Sequence, residues 1–163
     1  ARGTIYNNFE NTDELFSIVS KSVSDAINID AELMLQQRSD PHERLACFLG
    51  LFMKRAHDYP HWAKFVSRFA PNSLELRDVW SGIPNREVRD GIEKGFFNVP
   101  REDLSYYVQL LAGSTYSFLL LISEGHKSWR ETNVNLIQLA LLAGGISNAE
   151  AKRVALLPLP AIG

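Results

Sequence analysis

The chain has 163 residues, 45% of them hydrophobic and 22% charged: enough for one or two domains with a real core, and too apolar for a disordered segment. Its formal net charge of −2 does not announce a nucleic-acid binder. Its single cysteine, Cys47, excludes an internal disulfide and points to a cytoplasmic compartment.

The first sixteen residues read ARGTIYNNFENTDELF. Tyr6 and Phe9 are three apart and Ile5 and Phe9 four apart, so a short helix here has one apolar face. Arg2, Thr4, Asn7 and Asn8 fall largely on the other side, and such a polar face suits base edges and phosphates. Asn11 then reads as an N-cap with Glu14 as its capping-box partner, and Phe9 with Leu15 and Phe16 can staple the entry. A long helix is predicted over 11–37, with Leu15, Ile18, Val19, Val23, Ala26, Ile27, Leu33 and Met34 as its apolar stripe.

Ser39-Asp40-Pro41 ends that helix and starts another, with Asp40 as N-cap, Pro41 in the first turn and Glu43 completing the box. This helix contains LACFLGLFM at 45–53, apolar all round and therefore expected at the centre of the fold. Tyr59-Pro60 stops it, and a short aromatic helix, HWAKFVSRFA, follows. Residues 73–97 read as a helix pair interrupted by Gly82 and Pro84. Two strong helices are predicted at 102–124 and 129–143, and a last short one from Ser147, with Glu150 as its box partner. No strand pattern, repeat or long linker interrupts them, so the fold class is all-α.

The opening stretch resembles the end of the DNA-binding domain of the TetR family of transcriptional regulators. The family's recognition helix reads roughly Gly, Thr, Leu or Ile, Tyr, Tyr, His, Phe; Gly3, Thr4, Ile5, Tyr6 and Phe9 match it. Asn7 and Asn8 stand where Tyr and His are common, and Glu14, Leu15 and Phe16 match the start of the next helix. Thr12 replaces the Lys that contacts a phosphate in the family, a contact that backbone N–H groups at a helix start can also make. DGIEKGFF, LLAGSTYSFLLLISEG and LLAGGISNAEAKRVALLPLP are similar, more weakly, to segments of TetR-type ligand-binding domains. The resemblance implies that 1–38 is the remainder of a helix-turn-helix domain with its connecting helix, and 39–163 a helical ligand-binding and dimerisation domain. It implies about 40 residues upstream, two helices and a turn. The partners it implies are a double-stranded DNA operator, a small-molecule effector and a second copy of the chain. Arg2, Gly3 and Thr4 are expected at base edges, and Tyr6, Asn7, Asn8 and Thr12 at phosphates.

Other signals are weaker. His57 and His61 have helical metal-pair spacing, but Pro60 interrupts the turn and no third ligand is near, so no metal is expected. Cys47 lies among Leu45, Ala46, Phe48 and Leu49 and is expected to be an inert buried thiol. Residues 104–123 carry no charge and are long enough to span a bilayer, but their Ser, Thr and Gln residues and the lack of a second such segment favour a doubly buried helix over a membrane anchor.

Phe48, Phe52, Trp62, Phe65, Phe69, Trp80, Tyr107 and Tyr116 come from consecutive central helices and, with Leu111, are candidates to line a pocket for a largely apolar effector; filling the core is the competing use. Tyr107, Gln109 or a nearby His could supply its polar contacts. The two C-terminal helices carry more apolar stripes than one core can cover. Leu110, Gly113, Ser117, Leu121, Val134, Ile137 and Leu141 are therefore expected at a dimer contact. No nucleophile–base pair, phosphate loop or paired acid suggests an enzyme, and no cofactor is implied. The expected function is a ligand-responsive DNA-binding regulator, most simply a repressor; the alternative is an all-helical dimeric interaction module without DNA binding.

Overall fold

A computed structural model describes residues 12–162 of the chain. The expected DNA-contacting residues Arg2, Gly3, Thr4, Tyr6, Asn7 and Asn8, and the Asn11 cap, lie outside the described residues; Thr12 is the exposed first residue of α1.

Among the described residues eight α-helices follow one another, and no strand occurs. Helix α1 spans Thr12–Leu35, with Asp13 and Glu14 at its positive N-terminal end. Helix α2, Pro41–Asp58, is capped as its sequence requires: the Asp40 carboxylate accepts from the backbone N–H of His42 at 2.9 Å and of Glu43 at 3.1 Å. Tyr59 is at once the C-cap of α2 and the N-cap of α3, Pro60–Phe69, because Pro60 has no N–H to extend α2. A 3₁₀ turn, Ala70–Asn72, leads to α4, Leu74–Ser81, whose cap is Ser73. Gly82 breaks the chain before α5, Ile83–Glu93. Gly95, with φ 78°, ends α5 through a bond from the Phe96 N–H to the Gly91 carbonyl at 2.8 Å. A second 3₁₀ turn, Arg101–Asp103, precedes α6, Leu104–Ser123. Ser128 caps α7, Trp129–Ala143, and Ser147 caps α8, Asn148–Ala155.

The centre is α2, against which α1, α3, α5, α6 and α7 all pack. All nine residues of LACFLGLFM are buried. The stripe expected on α1 is partly corrected. Ile27 and Met34 are buried, but Ile18, Val19 and Leu33 are exposed, and the inward face is completed by Ala31 and Leu35. The reason is one-sided packing: α1 meets α2 and α4 along a single face, defined by the i, i+4 series Ile27, Ala31 and Leu35.

The C-terminal segment after α8 folds back across this assembly. Gln37 Nε2 donates to the Ala161 carbonyl and Arg38 to the Pro158 carbonyl, each at 3.0 Å. Leu159 sits directly over Gly50 of α2, where a Cβ would come within 2.4 Å of it. No described helix is long and apolar enough to cross a membrane.

Candidate functional site

Helices α2, α3, α4 and α6 bring five of the candidate pocket residues together. The Phe48 and Phe52 rings lie 5.5 Å apart, and Trp80 packs edge-on to Phe48 at 5.3 Å and stacked on Phe52 at 5.6 Å. Trp62 approaches Phe52 at 6.0 Å, and Tyr116 closes the nest at 5.9 Å from Trp80. Spacing explains the convergence: Phe48 and Phe52 are one turn apart on α2, so both face the same neighbours. The Trp80 indole N–H donates to the Tyr116 hydroxyl at 2.8 Å, which donates to the Leu76 carbonyl at 3.1 Å. Burial pushes the Tyr116 phenol up to about 12, so it stays protonated and keeps donating.

The other candidates go elsewhere. Phe65 and Phe69 pair with each other and with Phe16 of α1, at 6.0 Å and 5.2 Å from the Phe16 ring. Tyr107 packs near Phe97 and donates to the Ala140 carbonyl at 2.7 Å, a bond that ties α6 to α7. Leu111 is fully buried on the inward face of α6. Gln109 is exposed on the rim of a hollow of about 400 Å³ whose inner wall is Trp80 and Tyr116 and whose outer edge includes Arg77 and Gly113.

On α3 and α6 two buried polar groups are left over, one on Trp62, already a pocket candidate, and one on Thr115, which sequence reasoning did not single out. Trp62 Nε1 and Thr115 Oγ1 are buried without a hydrogen-bond partner. A buried donor without a partner costs roughly 1–3 kcal/mol, so such groups call for an explanation. Thr115 was legible only as one of several polar residues interrupting an apolar helix.

A charged cluster was also missed. Glu87 is 8% exposed, and its carboxylate accepts from Arg44 at 2.6 and 2.8 Å and from Arg86 at 3.0 Å. Burial pushes this carboxyl up, but hydrogen bonds from Arg44 and Arg86 outweigh it and hold Glu87 below its ordinary 4.5. Arg86 also reaches Glu32 of α1 at 3.1 Å. The available signal was position: Glu87 shares one face of α5 with Ile83 and Gly91, which are buried.

Asp40, His42 and Glu150 bring ligand-type atoms within 4.8 Å of one another. Their groups are already engaged: Asp40 caps α2, Glu150 accepts from Arg153 at 2.8 Å through both oxygens, and His42 Nε2 donates to the Phe96 carbonyl at 2.7 Å. His57 stacks on Trp129 at 6.0 Å, and His61 is exposed.

On the outer side of α6 and α7, Tyr106, Leu110 and Leu139 are 75%, 53% and 55% exposed. Gly113 and Ser117 are exposed beside them, and Leu121 and Val134 are half-buried. Ile137 and Leu141 do not belong to this face. They are 2% and 0% exposed within one protomer, because the inner face of α7 packs on α2; Leu139 and Leu142 point outward instead.

This is an all-helical domain: a central helix, an aromatic nest enclosed by its neighbours, and an apolar helix hairpin outside. Residues 40–156 match the family described as "Tetracyclin repressor-like, C-terminal domain", and the chain belongs to that family. Its fold is similar to that of RolR solved with resorcinol, with a TM-score of 0.76 and 23% identity over 99% of this chain and 79% of that one. It is also similar to RolR without ligand, with a TM-score of 0.74 and 22% identity over 99% of this chain and 82% of that one. No curated protein sequence matches the chain.

Proposed function

We propose that this chain is the sensing part of a ligand-responsive DNA-binding regulator, acting as a repressor, whose effector is a small, largely apolar molecule held in the aromatic nest of α2, α3, α4 and α6. The observation that carries the reading is an unpartnered polar group in the nest, Trp62 Nε1, whose ring also carries the Arg55 guanidinium at 5.7 Å, together with a second unpartnered group, Thr115 Oγ1, on the buried side of α6. An aromatic compound with one or two hydroxyls would place its ring among Phe52, Trp62 and Tyr116 and give those groups partners. RolR, whose fold is similar, takes resorcinol, a compound of this kind, as its ligand. Phe65 and Phe69 join α3 to Phe16 of α1, so a ligand that moves α3 also moves α1.

In this reading residues 1–38 complete the DNA-binding domain and its connecting helix, and 39–163 bind ligand and dimerise. Arg2, Gly3 and Thr4 face base edges, and Tyr6, Asn7, Asn8 and Thr12 hold phosphates. Two copies pair through the outer face of the α6–α7 hairpin, which spaces two recognition helices for two half-sites. A panel of neutral phenols and of polyanions, screened by thermal shift and by release of operator DNA from the whole regulator, tests the effector. Phenols are expected to stabilise the protein and release DNA. A selective response to polyanions would refute the proposal.

A further inference from the structure

A hollow of about 670 Å³ lies between α1, the end of α2, the start of α7 and the C-terminal segment. None of the five nest residues lines it, although Arg55 borders both, its guanidinium lying over the Trp62 ring at 5.7 Å. Its size is that of a small-molecule site. Its floor is apolar, made by Met34 of α1, Leu51 of α2 and Leu159 of the tail.

The charges around it do not cancel. Lys54, Arg55 and Arg130 face Asp30 and Asp58, which leaves one positive charge over. Arg55 pairs with Asp30 and Lys54 with Asp58. Arg130 has no carboxylate partner among the described residues; its guanidinium lies over the Trp129 ring at 4.9 Å, open at the rim. A guanidinium in that state presents a planar fork of donors suited to one carboxylate.

A smaller hollow, about 200 Å³, adjoins the first and shares Trp129, Arg130 and Leu159 with it. Asn133 lines it, 6% exposed, and its side-chain oxygen has no hydrogen-bond partner. An unpaired buried acceptor asks for a donor. We propose that the two hollows form one binding site for an organic monocarboxylate: its carboxylate on Arg130, its apolar body on Met34, Leu51 and Leu159, and a hydroxyl or amide N–H of that body donated to Asn133.

The site goes beyond the effector site of the aromatic nest and does not depend on it. Its walls come from α1, α2, α7 and the tail, so an occupant would bridge α1 to the C-terminal segment. A dianion fits less well, because one cation is left over, not two.

Titration calorimetry on the whole chain, with 6-hydroxyhexanoate, hexanoate and 6-hydroxyhexanamide as probes, none of them a phenol, tests the proposal. The hydroxylated acid is expected to bind, and its amide to bind about tenfold more weakly or worse, the effect of losing a charge-assisted hydrogen bond. Arg130→Ala, at an exposed position, should weaken the acid by a similar factor while leaving the melting temperature unchanged, and Arg130→Lys should recover part of the loss. Asn133→Ala should weaken the hydroxylated acid but not hexanoate. Tyr116→Phe, in the aromatic nest, should change neither. The proposal is overturned if no acid binds at millimolar concentration, if Arg130→Ala leaves the acid's affinity intact, or if Tyr116→Phe is the variant that abolishes it.

Discussion

Arg44 terminates α1 without belonging to it. Its guanidinium donates to the carbonyl of Leu35 at 2.7 Å, which also accepts from the Arg38 N–H at 3.1 Å, and to the carbonyl of Arg38 at 3.1 Å, while Glu87 holds it from the other side. Replacing Glu87 by Leu would leave Arg44 charged and poorly compensated, at a cost of about 3 kcal/mol. Adding Arg44→Met should return much of that loss, and urea denaturation of the single and double variants measures both. Because the folded Glu87 carboxyl is held below its ordinary 4.5, its stabilising contribution is complete above that pH and is lost as pH falls through the folded value. The Glu87→Leu variant should therefore show a shallower loss of stability in acid than the parent. Cys47 was legible from its neighbours: it is buried, and burial pushes its thiol up to about 11. It should react with a thiol reagent only after denaturant is added, which absorbance follows directly. Glu87 was not legible, because a lone acid on an apolar face shows its partners only once α2 and α5 are packed.

At the level of helices, two interior glycines have opposite surroundings. A Cβ on Gly91 of α5 would come within 2.4 Å of the buried Phe97 ring, whereas one on Gly113 of α6 meets nothing within 4 Å in the protomer. Alanine is the better helix former by about 1 kcal/mol, but at Gly91 overpacking should outweigh this and leave a net loss of about 1–2 kcal/mol. Gly113→Ala should instead raise the stability of an isolated protomer by up to about 1 kcal/mol. Thermal melts of both variants at low protein concentration check the contrast. Helix ends were readable because their chemistry is local: Asp40, Ser147, Tyr59-Pro60 and Gly82 act within a few residues of themselves. Faces were less so. Ile18 and Val19 fit an apolar stripe as well as Ile27 does, and only the positions of α2 and α4 decide which of them is covered.

For the molecule as a whole, the exposed apolar face of α6 and α7 sets the expected assembly. Tyr106, Leu110 and Leu139 lie open beside Gly113 and Ser117, whose small side chains admit a second helix closely. Gly113→Arg should shift a dimer toward monomer or aggregate, read by light scattering at micromolar concentration; a compact monomer for the parent chain would contradict the pairing. The surplus of apolar stripes on this hairpin was visible in the sequence, but the assignment of Ile137 and Leu141 to its outer side was not secure, since a helix apolar on several faces does not mark which one meets α2. The seat of Leu159 over Gly50 has a consequence for biosynthesis. The two partners are separated by most of the chain, so the notch at the middle of α2 stays open until residue 159 has left the ribosome. Until then the central helix has a bare apolar strip in a nascent chain, the kind of surface that chaperones hold and that aggregates when they do not.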